Sequence, residues 1–91
     1  MAKLVLITGT SRGIGKALAE KFLNEGFNVI GTSTTGKQAI KNKNFRSFNL
    51  DLSSQVSINN FVKDFSKLKE KIDILINNAG MVVEEEPTKP Y

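Results

Sequence analysis

A glycine-rich segment with the sequence TGTSRGIG occupies residues 8–15, between the apolar residues 4–7 and a helical pattern. Glycines let a backbone approach a pyrophosphate closely and adopt dihedral angles that are closed to other residues. A helix that begins in such a segment directs its free N–H groups and its positive dipole end at the anion. The segment therefore predicts a binding site for a nucleotide diphosphate. The alternative is a structural turn without a ligand.

A phosphate loop of the nucleoside triphosphatase type is excluded. Lys16 follows Gly15 as in that motif, but the next residue is Ala17, which has no hydroxyl for magnesium. Thr10 stands where the first glycine of that motif is required. The segment is therefore not interpreted as a loop that binds a nucleoside triphosphate with magnesium.

The segment at residues 31–36 bears on which dinucleotide is bound. A site for NAD usually places an acidic residue on the ribose hydroxyls about 20 residues after the glycines, and this segment contains none. It offers hydroxyl groups instead, and Arg12 and Lys37 supply positive charge. An additional ribose phosphate fits such a site, so NADP (NADPH) is the predicted cofactor. A solvated Ser/Thr loop is the alternative.

The composition excludes several other chemistries. The 91 residues include no histidine and no cysteine, so disulfides, thiolate metal sites and Ser-His or Cys-His catalysis are excluded within this chain. The net charge of +4 fits a solvated surface or a field that attracts an anionic ligand. We expect no nucleic-acid partner, because no basic run is interleaved with aromatic residues. No apolar run reaches the length of a secretory signal or a membrane span, so we expect a cytoplasmic protein without a membrane partner.

Short apolar runs predict strands at residues 4–7, 27–30 and 72–76, and an alternating apolar pattern predicts another strand at 45–50. Residues 31–36 are predicted to be a loop, and a short helix is predicted over Lys37–Asn42. The two longer helices follow from apolar residues at three- and four-residue spacing, the first ended by Gly26 and the second capped by Ser53 or Ser54. The apolar positions are Ile14, Leu18 and Phe22 in the first helix and Ile58, Phe61, Val62, Phe65 and Leu68 in the second.

Strands that alternate with helices must run parallel, with right-handed crossovers. The predicted fold class is therefore α/β, a Rossmann-type parallel sheet in the order 3-2-1-4 with helices on both faces, which ends after the fourth strand. Residues 1–91 form part of a single domain, and 81–91 are predicted to be a loop. Ligands bind beyond the carboxyl ends of such strands, and the polar clusters of this chain follow all four strand ends.

Three of these motifs together resemble the short-chain dehydrogenase/reductase family: TGTSRGIG at 8–15, Asp51-Leu52 after the third strand, and Asn77-Asn78-Ala79-Gly80 after the fourth. With VIGTSTTGKQAI at 29–40 and IDILINNAG at 72–80, the chain is most similar to the members that reduce 3-oxoacyl thioesters of acyl carrier protein in fatty acid biosynthesis. The resemblance covers nearly all of the chain up to Gly80.

The resemblance implies a set of cofactor-binding residues. The glycine-rich loop would line the diphosphate and the adenosine ribose, and Arg12 with Thr34 would hold the 2′-phosphate. The Asp51 carboxylate would accept a hydrogen bond from the adenine amino group, although Asp51 has a helix cap as an alternative role. Asn77 would contact ribose, or, like Asn78, serve only as a structural hydrogen-bonding residue. The full set is Gly9, Thr10, Ser11, Arg12, Gly13, Ile14, Gly15, Thr34, Asp51, Leu52, Asn77, Ala79 and Gly80.

The chain departs from the family pattern in its lack of catalytic residues. The family's catalytic Ser, its Tyr-x-x-x-Lys pair and its helix Asn lie beyond the NNAG strand, and Tyr91, the only tyrosine, is the last residue. The resemblance implies an inactive piece of an NADPH-dependent reductase, whose partners are the rest of its parent or other copies at the exposed fourth strand. A non-enzymatic nucleotide-binding module and a reductase of another ketone or alcohol remain alternatives.

Overall fold

The computed structural model describes residues 2–78, which form one parallel sheet with a helix on each face. The predicted loop at 81–91 and the site residues Ala79 and Gly80 lie outside this range. The sheet order β3-β2-β1-β4 confirms the predicted order 3-2-1-4, and every strand pair is parallel. The elements are β1 (Leu4–Thr8), α1 (Gly13–Asn24), β2 (Asn28–Ser33), β3 (Phe45–Asn49), α2 (Gln55–Ser66) and β4 (Ile74–Asn77).

Alternate residues of the strands supply the two halves of the core. Val5 and Ile7 of β1 lie on one face, where they share a cluster with Ala19 of α1. Leu4 and Leu6 lie on the other face, where half-buried side chains of α2 pack against them. Both faces of the central strands are therefore buried, which explains why β1 is apolar throughout rather than alternating. Neither helix in the described part of the chain is long and apolar enough to cross a membrane.

Gly26 ends α1, as the sequence predicts. Its φ of 91° lies in the left-handed region, and its N–H donates to the Leu23 carbonyl at 3.1 Å. The Phe27 N–H donates to the Phe22 carbonyl at 3.0 Å, and the two rings meet edge to face with centroids 5.1 Å apart. These two hydrogen bonds and the apolar contact form a Schellman motif, which turns the chain directly into β2.

The predicted short helix at Lys37–Asn42 is wrong, because this segment has no regular secondary structure. The Gln38 side chain donates to the carbonyls of Ile40 and Phe45, at 3.1 and 2.8 Å. Ile40 is buried in the core beside α1. A six-residue segment cannot recover the cost of helix nucleation, so side-chain hydrogen bonds and one buried apolar anchor hold it instead.

Two strand boundaries and one buried position of α1 also differ from the predictions. β2 continues through Ser33, so the predicted loop at 31–36 begins only at residue 34. β4 begins at Ile74 rather than Ile72. Just before it, the Asp73 side chain binds the start of β1, because its carboxylate accepts a hydrogen bond from the Leu4 N–H at 2.8 Å. Ile14 is 66% exposed and does not belong to the buried stripe of α1, which consists of Gly15, Ala19 and Leu23.

Arg46 of β3 lies on the face of the sheet that α2 covers and forms an ion pair there. The two terminal guanidinium nitrogens of Arg46 donate to the two carboxylate oxygens of Glu70, each at 2.8 Å, and this pairing lowers the pKa of the Glu70 carboxyl. Both side chains are more than one-third exposed, so solvent screens much of the attraction. The pair ties the β3 edge to the segment between α2 and β4 at a small gain in stability.

Glu70→Gln is expected to lower the free energy of unfolding by less than about 1 kcal/mol at neutral pH. A carboxyl whose pKa is lowered by folding stabilises the fold above its ordinary pKa, and this contribution is lost as the pH falls through the lowered value. Urea unfolding at pH 7 and at pH 3 should therefore show a difference between wild type and variant that shrinks in acid. Glu20→Gln, an exposed helix position, is the charge-matched control. An equal loss from both variants would contradict a role for the pair.

Candidate nucleotide-binding site

The glycine-rich loop lies between the carboxyl end of β1 and the beginning of α1. Gly9 and Gly13 have φ angles of 75° and 63°, so both occupy the left-handed region that favours glycine. Arg12 stands at the N-cap of α1 in an extended conformation, and its side chain makes no hydrogen bond to the first turn. At α2, by contrast, the predicted cap is confirmed, because the Ser54 hydroxyl accepts from the Ser57 N–H at 3.2 Å. The first turn of α1 can therefore offer its N–H groups to an anion.

Gly15 brings α1 against the loop. Its backbone is not in the left-handed region, but an added Cβ would overlap the Gly9 carbonyl oxygen and lie 2.6 Å from Nδ2 of Asn78. Asn78 donates from that Nδ2 to the same carbonyl oxygen at 3.0 Å. Glycine is thus required at position 15 for close packing rather than for its dihedral angles. Asn78, which the sequence marked only as a structural hydrogen-bonding residue, ties the end of β4 to the loop.

The end of β2 holds the loop from the other side. The Thr32 carbonyl oxygen accepts from the N–H groups of Gly9 and Thr10 at 3.0 and 2.9 Å. Thr10 and Thr32 are each only 1% exposed. The side chain of Thr10 therefore faces the interior, so any contact of this residue with a cofactor would be made by its backbone.

The hydroxyl groups of residues 31–36, which were predicted to fit a ribose phosphate, differ in their exposure to solvent. Ser33 is 6% exposed, and its Oγ accepts from the Gly36 N–H at 2.9 Å. Thr35 is exposed, and its Oγ1 accepts from the Lys37 N–H at 3.3 Å. Thr34 and Arg12 are exposed, and the Thr34 hydroxyl has no hydrogen-bond partner within residues 2–78. Thr34 and Arg12, the residues predicted to hold the 2′-phosphate, are thus both accessible to solvent.

Asp51 organises the turn between β3 and α2. Its Oδ1 accepts from the Ser53 hydroxyl at 2.6 Å and from the Ser53 N–H at 3.0 Å, and these bonds lower the pKa of the Asp51 carboxyl. The carboxylate is therefore ionised at neutral pH and able to accept from an amino group. Ser54, not Asp51, is the N-cap of α2. Leu52, beside it, is 53% exposed.

Asn77 is the last residue of β4 and lies at the carboxyl ends of the strands. Its Oδ1 accepts from the Thr8 hydroxyl at 3.0 Å, across the β1–β4 pair. The structure thus brings the ends of β1, β2 and β4 together through hydrogen bonds, while Asp51 and Leu52 follow β3 at the same edge of the sheet. Sequence reasoning missed Gly31 and the inward position of Thr10. A glycine inside a β-branched strand run is the signal that could have revealed a close approach there.

Comparison with known proteins agrees with this geometry. The family model of the short chain dehydrogenases matches residues 3–90. The chain is 46% identical over 80 residues to a 3-oxoacyl-[acyl-carrier-protein] reductase of Buchnera aphidicola from Acyrthosiphon pisum, an alignment that covers 82% of this chain and 33% of that protein. The chain thus spans about a third of the length of that relative.

Solved structures give the same result. A short chain dehydrogenase of Leptospira borgpetersenii with bound NAD+ is similar at a TM-score of 0.74 and 32% identity, over 88% of this chain and 32% of that one. ElxO with NADP bound is similar at a TM-score of 0.70 and 32% identity, over 88% of this chain and 36% of that one. With the family model matched over nearly the whole sequence, the chain belongs to the short chain dehydrogenase family.

Proposed function

We propose that this chain is the NADP-binding portion of a short-chain oxidoreductase that reduces the carbonyl of a 3-oxoacyl thioester with NADPH. The proposal rests on the beginning of α1, where no side chain caps the first turn. The loop before it is held close to the sheet by contacts with Gly15, Asn78 and Thr32. Such a helix beginning favours a diphosphate. The bound cofactor would supply the hydride.

The choice of NADP rests on residues of this chain. The similar structures include one with bound NAD+ and one with bound NADP, so the likeness alone leaves both open. Residues 31–36 contain no acidic side chain, whereas Arg12 and Thr34 are exposed beside the loop. Arg12 would pair with the 2′-phosphate, and its charge would stand unpaired beside a plain ribose.

The other candidate residues would hold the remaining parts of the cofactor. The backbone of Gly9–Ile14 would line the diphosphate and adenosine ribose, and the ionised Asp51 carboxylate would accept from the adenine amino group. Leu52 would lie beside the adenine, and Asn77 would contact ribose. The 3-oxoacyl substrate class rests on the similarity to the 46% identical relative, which is a 3-oxoacyl-[acyl-carrier-protein] reductase. Hydride transfer requires a proton donor that this chain does not itself offer in the family's Tyr-x-x-x-Lys pattern.

The complete parent protein is expected to bind NADPH about tenfold to a hundredfold more tightly than NADH. One charge-assisted hydrogen bond to the extra phosphate contributes roughly 1.5–3 kcal/mol, which corresponds to that ratio. Fluorescence titration with each reduced cofactor measures it. Arg12→Ala should remove most of the preference while it changes the NADH affinity little.

Lys3→Ala is the control for this experiment. It removes the same charge from an exposed residue at the amino end of β1, whereas the candidate site lies at the carboxyl ends of the strands. This variant should leave the preference for NADPH intact. Equal affinity for the two cofactors in the unmodified protein, or a preference for NADH, would refute the assignment of NADP. A preference that survives Arg12→Ala would refute the role of Arg12.

A further inference from the structure

Thr10 has an unusual environment for a residue in an exposed loop. The two residues that follow it, Ser11 and Arg12, are exposed, yet Thr10 is only 1% exposed. Its side chain must therefore occupy space inside the fold, and that space lies over β2 beside Gly31.

Gly31 supplies that space. It lies within β2, paired with Ile7 on one side and Ser47 on the other, and its φ is not in the left-handed region. The backbone conformation of Gly31 therefore does not demand glycine. An added Cβ would overlap the Thr10 hydroxyl oxygen and lie 2.8 Å from Cγ2 of Thr10 and 2.9 Å from Cε1 of Phe45. The Thr10 side chain thus fills the position that a side chain at residue 31 would take.

We propose that Thr10 and Gly31 are a size-matched pair that positions the glycine-rich loop for the cofactor diphosphate, an inference that rests on the proposed function. The loop is bound to β2 just beyond this contact, since Gly9 and Thr10 both donate to the Thr32 carbonyl. A side chain at residue 31 would push Thr10 away from β2 and break these bonds. Residues 11 and 12 join Thr10 directly to the beginning of α1. A displacement of Thr10 would therefore also displace the first turn of α1, which is proposed to bind the diphosphate.

The pair predicts a specific pattern of loss and recovery. In the complete parent protein, Gly31→Ala should weaken NADPH binding by about tenfold or more, because a methyl group forced into a filled site displaces its neighbours. Thr10→Ala should have a smaller effect, since it removes a side chain without introducing a clash. The double variant Thr10→Ala/Gly31→Ala should bind within about threefold of Thr10→Ala alone, because the alanine at 31 then takes the vacated space.

Hydrogen exchange followed by mass spectrometry provides a readout without cofactor. In Gly31→Ala, peptides that contain the amides of Gly9 and Thr10 should exchange faster than in the unmodified chain, and the double variant should recover part of the protection. Failure of the unmodified parent protein to bind NADPH would refute the proposed function, while the exchange pattern would still decide on the pair. If Gly31→Ala does not fold, recovery of cooperative thermal unfolding in the double variant supports the pair, and no recovery overturns it.

Phe45 is the competing neighbour, and Gly31→Ala/Phe45→Leu tests it. The pair is supported if Thr10→Ala restores binding and protection more fully than Phe45→Leu does. It is overturned if Thr10→Ala restores them no better than Phe45→Leu, or if Gly31→Ala alone binds and exchanges like the unmodified protein.

Discussion

Gly15→Ala is expected to lower the free energy of unfolding by about 3 kcal/mol, the upper end of the usual range for overpacking. The added methyl group would overlap a backbone carbonyl oxygen, that of Gly9, rather than the end of a flexible side chain. Gly9 has little freedom to move, because its N–H donates to the Thr32 carbonyl and its own carbonyl accepts from Asn78. In a complete parent protein of about 150–250 residues, in which the variants are to be compared, the midpoint of thermal unfolding should fall by roughly 6–12 °C. NADPH binding should be lost with the loop geometry.

Gly26→Ala separates this steric effect from the general cost of replacing a glycine. Gly26 has a φ of 91°, and an added Cβ there would meet nothing within 4 Å. Its replacement should therefore cost only the left-handed backbone strain, about 1–2 kcal/mol, and leave cofactor affinity unchanged. Thermal unfolding followed by circular dichroism, with NADPH titration of both variants, makes the comparison. Similar stability losses, or intact NADPH binding in Gly15→Ala, would contradict the packing argument.

The 91-residue chain is expected not to remain a folded monomer at low micromolar concentration. Within the described sheet β4 pairs only with β1, so its other side leaves N–H and C=O groups without strand partners. Leu75 is 64% exposed on this strand, and Val62 of α2 is 59% exposed. No residue of α2 is fully buried. An uncharged apolar edge of this kind recruits other strands, so we expect pairing with another copy, with the rest of a parent protein, or aggregation.

The opposite edge of the sheet is better protected. β3 carries Arg46, Ser47 and Asn49, and the Arg46–Glu70 pair places charge along it. Charged and polar edges discourage pairing with other chains. Association is therefore expected at β4 rather than at β3.

Leu75→Lys tests the location of this association. Because the side chain is already mostly exposed, the substitution should cost little stability while it places a charge on the β4 edge. Sedimentation velocity should show associated species for the unmodified chain and a larger monomer fraction for the variant. Ser47→Lys on β3 is the control and should leave the association unchanged. A monodisperse, cooperatively folding monomer of the unmodified chain would refute the prediction.

The sheet order and the two long helices could be predicted because their signals are local and repeated. Continuous apolar runs mark strands buried on both faces, and the spacing of Leu18 and Phe22 marks a helix face. The segment at 37–42 was mispredicted because its structure depends on Gln38, whose side chain reaches a strand seven residues later. No local pattern records such a contact.

The candidate site was predictable as a set of positions but not as a set of contacts. The glycine pattern located the loop, but it did not show the separate structural reason for each glycine. The structure separates Gly13, which needs its positive φ, from Gly15, which needs the absence of a side chain. The inward side chain of Thr10 was unpredictable because it depends on Gly31, a residue 21 positions away that adopts an ordinary strand conformation.

The central place of β1 has a consequence for the order in which the chain folds. Three hydrogen bonds join residues 4, 8 and 9 to residues that lie 69 positions later. Closing a loop of that length costs about 4 kcal/mol of chain entropy, so these contacts cannot form before most of the sheet is in place. During synthesis on the ribosome, Gly9 emerges long before Asn78 does. The glycine-rich loop is therefore synthesised early, but its hydrogen bonds to β4 form late. A nascent chain should acquire affinity for its nucleotide only after β4 has paired with β1.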